Sequence, residues 1–124
     1  MAGMTEKIEK MLQDMMADAP DIEGAALIGS DGLIIAANLP IKSQDPNRIG
    51  ASAAALLGLG KRTIEALQKG DFSELSLTGT DGSLYLYSAG PTGILGILAK
   101  KGANVGMINM LARDISEKIS QMLE

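Results

Sequence analysis

Residues Ile49–Gly60 read IGASAAALLGLG, and what this stretch demands of its surroundings decides how the rest of the chain is arranged. It lies within a helical pattern, yet Ala51, Ala54, Ala55 and Gly58 fall at helical spacing on a side that carries almost no side chain. Glycines inside a helix cost roughly 0.8–1 kcal/mol each relative to Ala. Gly50, Gly58 and Gly60 are all present here, which is tolerable where another backbone must come close. The opposite stripe, Ile49, Ala53, Leu56, Gly60, Thr63 and Leu67, suits a sheet underneath. A helix that is apolar or small on both sides is expected to be covered on both. Two readings follow. The small-residue face lies on the domain's own sheet, or it is a helix–helix contact between two protomers.

Outward from this stretch, Asp45 followed by Pro46 fits an N-cap and a proline at the first helical position. The helix is predicted from Pro46 to about Gln68, ending at Lys69-Gly70 with a basic last turn and a C-terminal glycine. Before it, Leu39–Asp45 reads as a polar loop. Earlier still, Ile22–Gly29 (IEGAALIG) and Leu33–Asn38 (LIIAAN) flank Ser30-Asp31-Gly32, an Asp-Gly turn, and predict a hairpin. Both arms are nearly all apolar or small, so the hairpin is expected to be central with both faces covered. The chain opens with an amphipathic helix over Thr5–Ala17, capped by Thr5, buried through Ile8, Leu12, Met15 and Ala19, and ended by Pro20.

Beyond the long helix, Phe72–Leu77, Ser83–Ser88 and Gly93–Ala99 predict a three-strand meander with turns at Thr80-Asp81-Gly82 and Gly90-Pro91-Thr92. Leu84 and Leu86 alternate with Tyr85 and Tyr87, giving that strand two distinct faces. A last helix spans about Asn104–Leu123. Its seam of Val105, Ile108, Ala112, Ile115, Ile119 and Met122 predicts that the terminal helices pack together on one sheet face.

One domain is expected from 124 residues. No apolar run is long enough to span a membrane, and the charged N-terminus lacks the apolar core of a signal peptide, so a cytoplasmic protein without membrane insertion is expected. Cysteine and histidine are both absent, which removes thiol chemistry, zinc–thiolate sites and the commonest general base. No cofactor and no metal are expected. A net charge of −4, with one Phe, two Tyr and no Trp, speaks against nucleic-acid binding.

Several apparent motifs have simpler readings. Ala55–Arg62 (ALLGLGKR) superficially resembles a phosphate-binding loop. Ala55 replaces its first glycine, Arg62 replaces its Ser/Thr, and the segment lies inside a helix. Asp31 and Asp81 each sit in an Asp-Gly turn, where the carboxylate serves local turn chemistry. Glu23 and Glu74 read as strand-surface residues. Lys100 and Lys101 read as a solvated strand end, and Lys61 and Arg62 as surface cations beside the small-residue face. Met11, Met15, Met16, Met107, Met110 and Met122 read first as core gap-fillers and second as an adaptable binding surface.

The hairpin IEGAALIGSDGLIIAANLP, the stretch DPNRIGASAAALLGLGKRTIEAL and the closing ILGILAKKGANVGMINMLA together resemble the Roadblock dynein-light-chain family, over nearly the whole chain. The resemblance implies a profilin-like α/β (α+β) sandwich of order α-β-β-α-β-β-β-α around a five-stranded antiparallel sheet. It implies homo- or heterodimers in which sheets join edge to edge and the long middle helices pack together. Ala51, Ala54, Ala55, Gly58 and Arg62 on the helix, with Glu74, Leu75, Ser76 and Leu77 on the first meander strand, are then the expected dimer or partner interface. Members of the family are platforms for Ras-like small GTPases, and its prokaryotic MglB-type regulators stimulate their GTPase without inserting an arginine finger. The expectation is therefore a non-enzymatic homodimer that binds and regulates a Ras-like small GTPase. A small-ligand sensor of profilin-like or PAS-like architecture, and a hydrolase using Asp31 or Asp81, are the alternatives from other classes.

Overall fold

The apolar runs separated by Asp-Gly and Gly-Pro turns form five strands, laid between a pair of helices and a single one. A computed structural model describes residues 2–40 and 45–123. The elements run α1 (Ala2–Asp18), β1 (Ile22–Gly29), β2 (Ile34–Asn38), α2 (Pro46–Ala66), β3 (Glu74–Thr78), β4 (Gly82–Ser88), β5 (Gly93–Lys100) and α3 (Val105–Met122). All pairings are antiparallel, in the order β2-β1-β5-β4-β3. This is the predicted element order. Residues 41–44 of the loop expected over Leu39–Asp45 lie outside the described residues.

The two-residue alternation of the strands sorts the core into two layers. On one face Leu27, Tyr85, Tyr87, Leu95 and Ile97 meet Ile8, Leu12 and Met15 of α1 and Ile108, Ala112 and Ile119 of α3. On the other, Ala26, Ile28, Leu86 and Ile94 meet Ala53 and Leu57 of α2. The split between Leu86 and the two tyrosines follows the predicted two faces of β4. Full burial of side chains such as Leu95 and Ile97 contributes roughly 1.5–3 kcal/mol each.

Five expectations need correction. First, α1 begins at Ala2, so Thr5 is an interior helical residue and not its cap. Second, only β1 of the hairpin is central. β2 is an edge strand, fully burying Ala36 alone: its apolar side chains fit between α1 and α2, but nothing pairs with its outer side among the described residues. Third, the sheet-facing stripe of α2 drifts. Gly50, Ala53 and Leu57 are its buried positions, whereas Thr63 and Leu67 are exposed, Leu67 by 63%. The predicted positions hold the 3.6-residue period of a straight helix, but from Lys61 to Ala66 every residue except Ile64 is exposed, so the last turns of the helix extend past their cover. Fourth, the helix closes at Ala66 with no basic residue in its last turn. Gln68 takes a left-handed φ of 57° and Gly70 one of 90°, so the chain turns out before Lys69 can join the helix. Fifth, in α3, Val105 of the predicted seam is 44% exposed in the first turn of the helix.

Candidate partner-binding surface

The caps that set α2 and α3 are local. Asp45 Oδ1 accepts the N–H of Asn47 at 3.0 Å, and Pro46 begins α2. Asn104 Oδ1 accepts the N–H of Met107 at 3.1 Å, while the Asn104 N–H donates to Asp21 Oδ2 at 3.0 Å and ties the start of α3 to the start of β1. The Asp31 carboxylate accepts the N–H of Leu33 at 3.0 Å, which is the turn role expected for it.

The glycines of α2 divide between the two readings. A methyl group on Gly50 would lie 2.1 Å from the carbonyl oxygen of Gly32, so the β1–β2 turn packs backbone to backbone on the helix. One on Gly60 would meet the Phe72 ring at 2.8 Å. Both glycines are explained by the chain's own packing. Gly58 is different: a methyl there would touch only Arg62 Nη1, at 3.5 Å. Ala51, Ala55 and Arg62 are exposed, Ala54 and Gly58 are half-buried, and Leu59 beside them is 56% exposed. Ala54 lies against the β1–β2 turn, 3.6 Å from where a Gly32 Cβ would be, so it is Ala51, Ala55 and Gly58 that look outward.

The second predicted group occupies β3, an edge of the sheet that among the described residues pairs only with β4. Leu75 and Leu77 share the face of α2, opposite Leu86 and Leu84 in register; Glu74 and Ser76 share the face of α3, opposite Tyr87 and Tyr85. Glu74, Ser76 and Leu77 are exposed and Leu75 is half-buried. On the α2 face Leu77, Leu84 and Leu98 are cross-strand neighbours. Leu77 is exposed and Leu84 and Leu98 are half-buried, which leaves apolar surface open on this face.

On the α3 face lies a polar cluster that sequence reasoning missed. Arg113 grips Glu74 with two hydrogen bonds, Nε to Oε2 at 2.5 Å and Nη2 to Oε1 at 2.9 Å. The Tyr87 hydroxyl donates to Asn109 Oδ1 at 2.5 Å. Burial, and then the Glu74 carboxylate, push the Tyr87 hydroxyl up to about 12. Ser73, Ser88, Gly90, Ser116 and Ser120 join this cluster around an open groove of about 370 Å³. The Ser116 hydroxyl at its floor is buried without a hydrogen-bond partner. Of the methionines, Met15 is core and Met11, Met16 and Met122 pack against it, but Met107 and Met110 are exposed on α3.

Among the described residues no group of His, Cys, Asp and Glu gathers to hold a metal ion, and no helix is long and apolar enough to cross a membrane. What the two predicted groups present is unpaired backbone at an edge, small residues on a helix and exposed leucines, a surface suited to contact with another protein.

The chain is 35% identical over 101 residues to an uncharacterized protein of Methanocaldococcus jannaschii, covering 82% of this chain and 87% of that one. Its fold superposes on Myxococcus xanthus MglB with a TM-score of 0.88 at 15% identity, covering 96% of this chain and 89% of MglB. It also superposes on Acanthamoeba castellanii profilin II with a TM-score of 0.67 at 12% identity, covering 94% and 98%. The expected profilin-like architecture is thus the observed one. The Roadblock/LC7 domain matches residues 8–99, and the chain belongs to that family.

Proposed function

We propose that this chain is a cytoplasmic homodimeric scaffold that binds a Ras-like small GTPase and regulates it without chemistry of its own. The observation that carries the reading is the outward small-residue face of α2, Ala51, Ala55 and Gly58 flanked by Leu59 and Arg62, beside the open edge of β3. Two α2 helices brought together through that face would give one composite surface, so that a single GTPase meets both protomers. Any acceleration of hydrolysis would come from positioning the GTPase's own catalytic groups and its bound magnesium. The resemblance to MglB-type regulators and the membership of the Roadblock/LC7 domain family support the assignment.

The test is calorimetric titration of the purified protein against the Ras-like GTPases of its own organism, each loaded with GDP or a non-hydrolysable GTP analogue. Tighter binding in one nucleotide state is expected. Single-turnover hydrolysis with and without the protein then separates activation from docking. Absence of binding in both states overturns the reading, and the groove beside Ser116 would be the place to test a small-ligand sensor by ligand-dependent melting shifts.

A further inference from the structure

We infer that Arg113 is a positioning residue that makes the β3 edge competent to pair, by holding and neutralising the Glu74 carboxylate on the α3 face of the sheet. The inference rests on the homodimer reading above. β3 reads ELSLT, and Glu74 is its one charged residue. A charge on an edge strand is a usual device for keeping edges apart. Here a helix of the same chain takes that charge up. The bidentate geometry fixes both oxygens of Glu74, whose side chain is 32% exposed against 57% for Arg113.

The placement is specific to the edge. β3 is joined to the rest of the sheet by β4 alone, and the Arg113–Glu74 pair is a side-chain tether from α3 across to it. The other two ion pairs among the described residues, Lys10–Asp14 and Lys118–Asp114, are i,i+4 pairs along exposed helix surface and do not touch an edge. Without Arg113, an arriving second strand would have to desolvate a bare carboxylate, which is costly unless a cation accompanies it. A two-fold dimer contains that carboxylate twice.

The test measures the dimer dissociation constant by sedimentation for the wild type, Arg113→Ala and the double variant Glu74→Gln/Arg113→Ala, at low and high salt. Arg113→Ala is expected to weaken the dimer by roughly tenfold, about threefold at each of the two symmetric sites. The deficit should shrink as salt screens the carboxylate. The double variant should return to within about twofold of wild type, since a neutral amide costs far less to desolvate than a bare carboxylate. A role in folding alone would not give rescue by Glu74→Gln. An Arg113→Ala protein as tightly dimeric as wild type, or a double variant as weak as Arg113→Ala, overturns the inference and leaves the homodimer reading standing. A wild type that is monomeric at micromolar concentration overturns both.

Discussion

Replacing Gly50 by alanine sets two opposing effects against each other in one residue. In a helix interior the change should be favourable by about 0.8–1 kcal/mol, because glycine has more backbone freedom to lose. The added methyl, however, would sit 2.1 Å from the Gly32 carbonyl oxygen. That contact must open by at least about 1.3 Å to reach ordinary van der Waals separation. Neither side can give by rotating a bond: one is the helix and the other is the backbone of the β1–β2 turn, where Gly32 holds a left-handed φ of 89°. The hairpin must therefore slide against α2, at a typical overpacking cost of about 2–3 kcal/mol. The net effect is a loss of about 1–2 kcal/mol, or about 4–8 °C in melting temperature for a chain of this size. Gly58→Ala is the control. Its methyl meets only Arg62 Nη1 at 3.5 Å, so the propensity term stands alone and the melting point should rise by about 2–4 °C. Both variants should be melted by circular dichroism at one protomer concentration low enough to keep the chain monomeric, because association shifts apparent stability. If Gly50→Ala is as stable as wild type, the backbone contact is not what requires glycine there.

Further outcomes can be checked on the same footing. Asp45→Ala removes the side-chain acceptor for the Asn47 N–H and should cost about 1 kcal/mol in urea denaturation, with Asp45→Asn close to wild type. Ala55→Arg places a long charged side chain on the outward face of α2 and should give monomers by light scattering without loss of the fold. Ser76→Pro should weaken the dimer in the same assay while leaving the melting of the dilute protein little changed, since β3 is an edge that tolerates proline better than an interior strand. The Tyr87 hydroxyl, raised from 10.0 to about 12 by burial and by Glu74, keeps its proton in the folded state after the unfolded chain has lost it. The stability it contributes is complete below pH 10 and is lost as the pH rises toward 12, so alkaline melts of Tyr87→Phe should fall less steeply over that interval.

The signals that specified elements were local ones. Asp45-Pro46 and Asn104 start α2 and α3 because a carboxylate or amide oxygen can reach an N–H two or three residues on. Asp31 closes its turn in the same way. Alternation in β4 assigned Leu86 and Tyr87 to opposite faces because a pleat leaves a side chain no other choice. The small-residue face was visible as well, since helical spacing alone collects Ala51, Ala55 and Gly58.

Tertiary structure decided what each of these features meets. Gly50 and Gly58 look alike in sequence, but only Gly50 lies under Gly32, because the fold carries the β1–β2 turn onto the start of α2 and leaves Gly58 meeting only Arg62. The apolar character of β2 suggested a central strand, yet its place at the edge depends on which strand pairs with β1 on its other side, and that strand, β5, is the last of the five in sequence. Glu74 and Arg113 are 39 residues apart. No periodicity links them, and their meeting depends on the fold laying α3 along the same sheet face that Glu74 shares. The sequence by itself therefore determined the elements and most of their faces through signals within a turn or two of the chain, and the family through the order of its segments. Only the packed fold decided which glycine is structural, which edge is open and which charge is neutralised, because those depend on distances between segments that local chemistry does not encode.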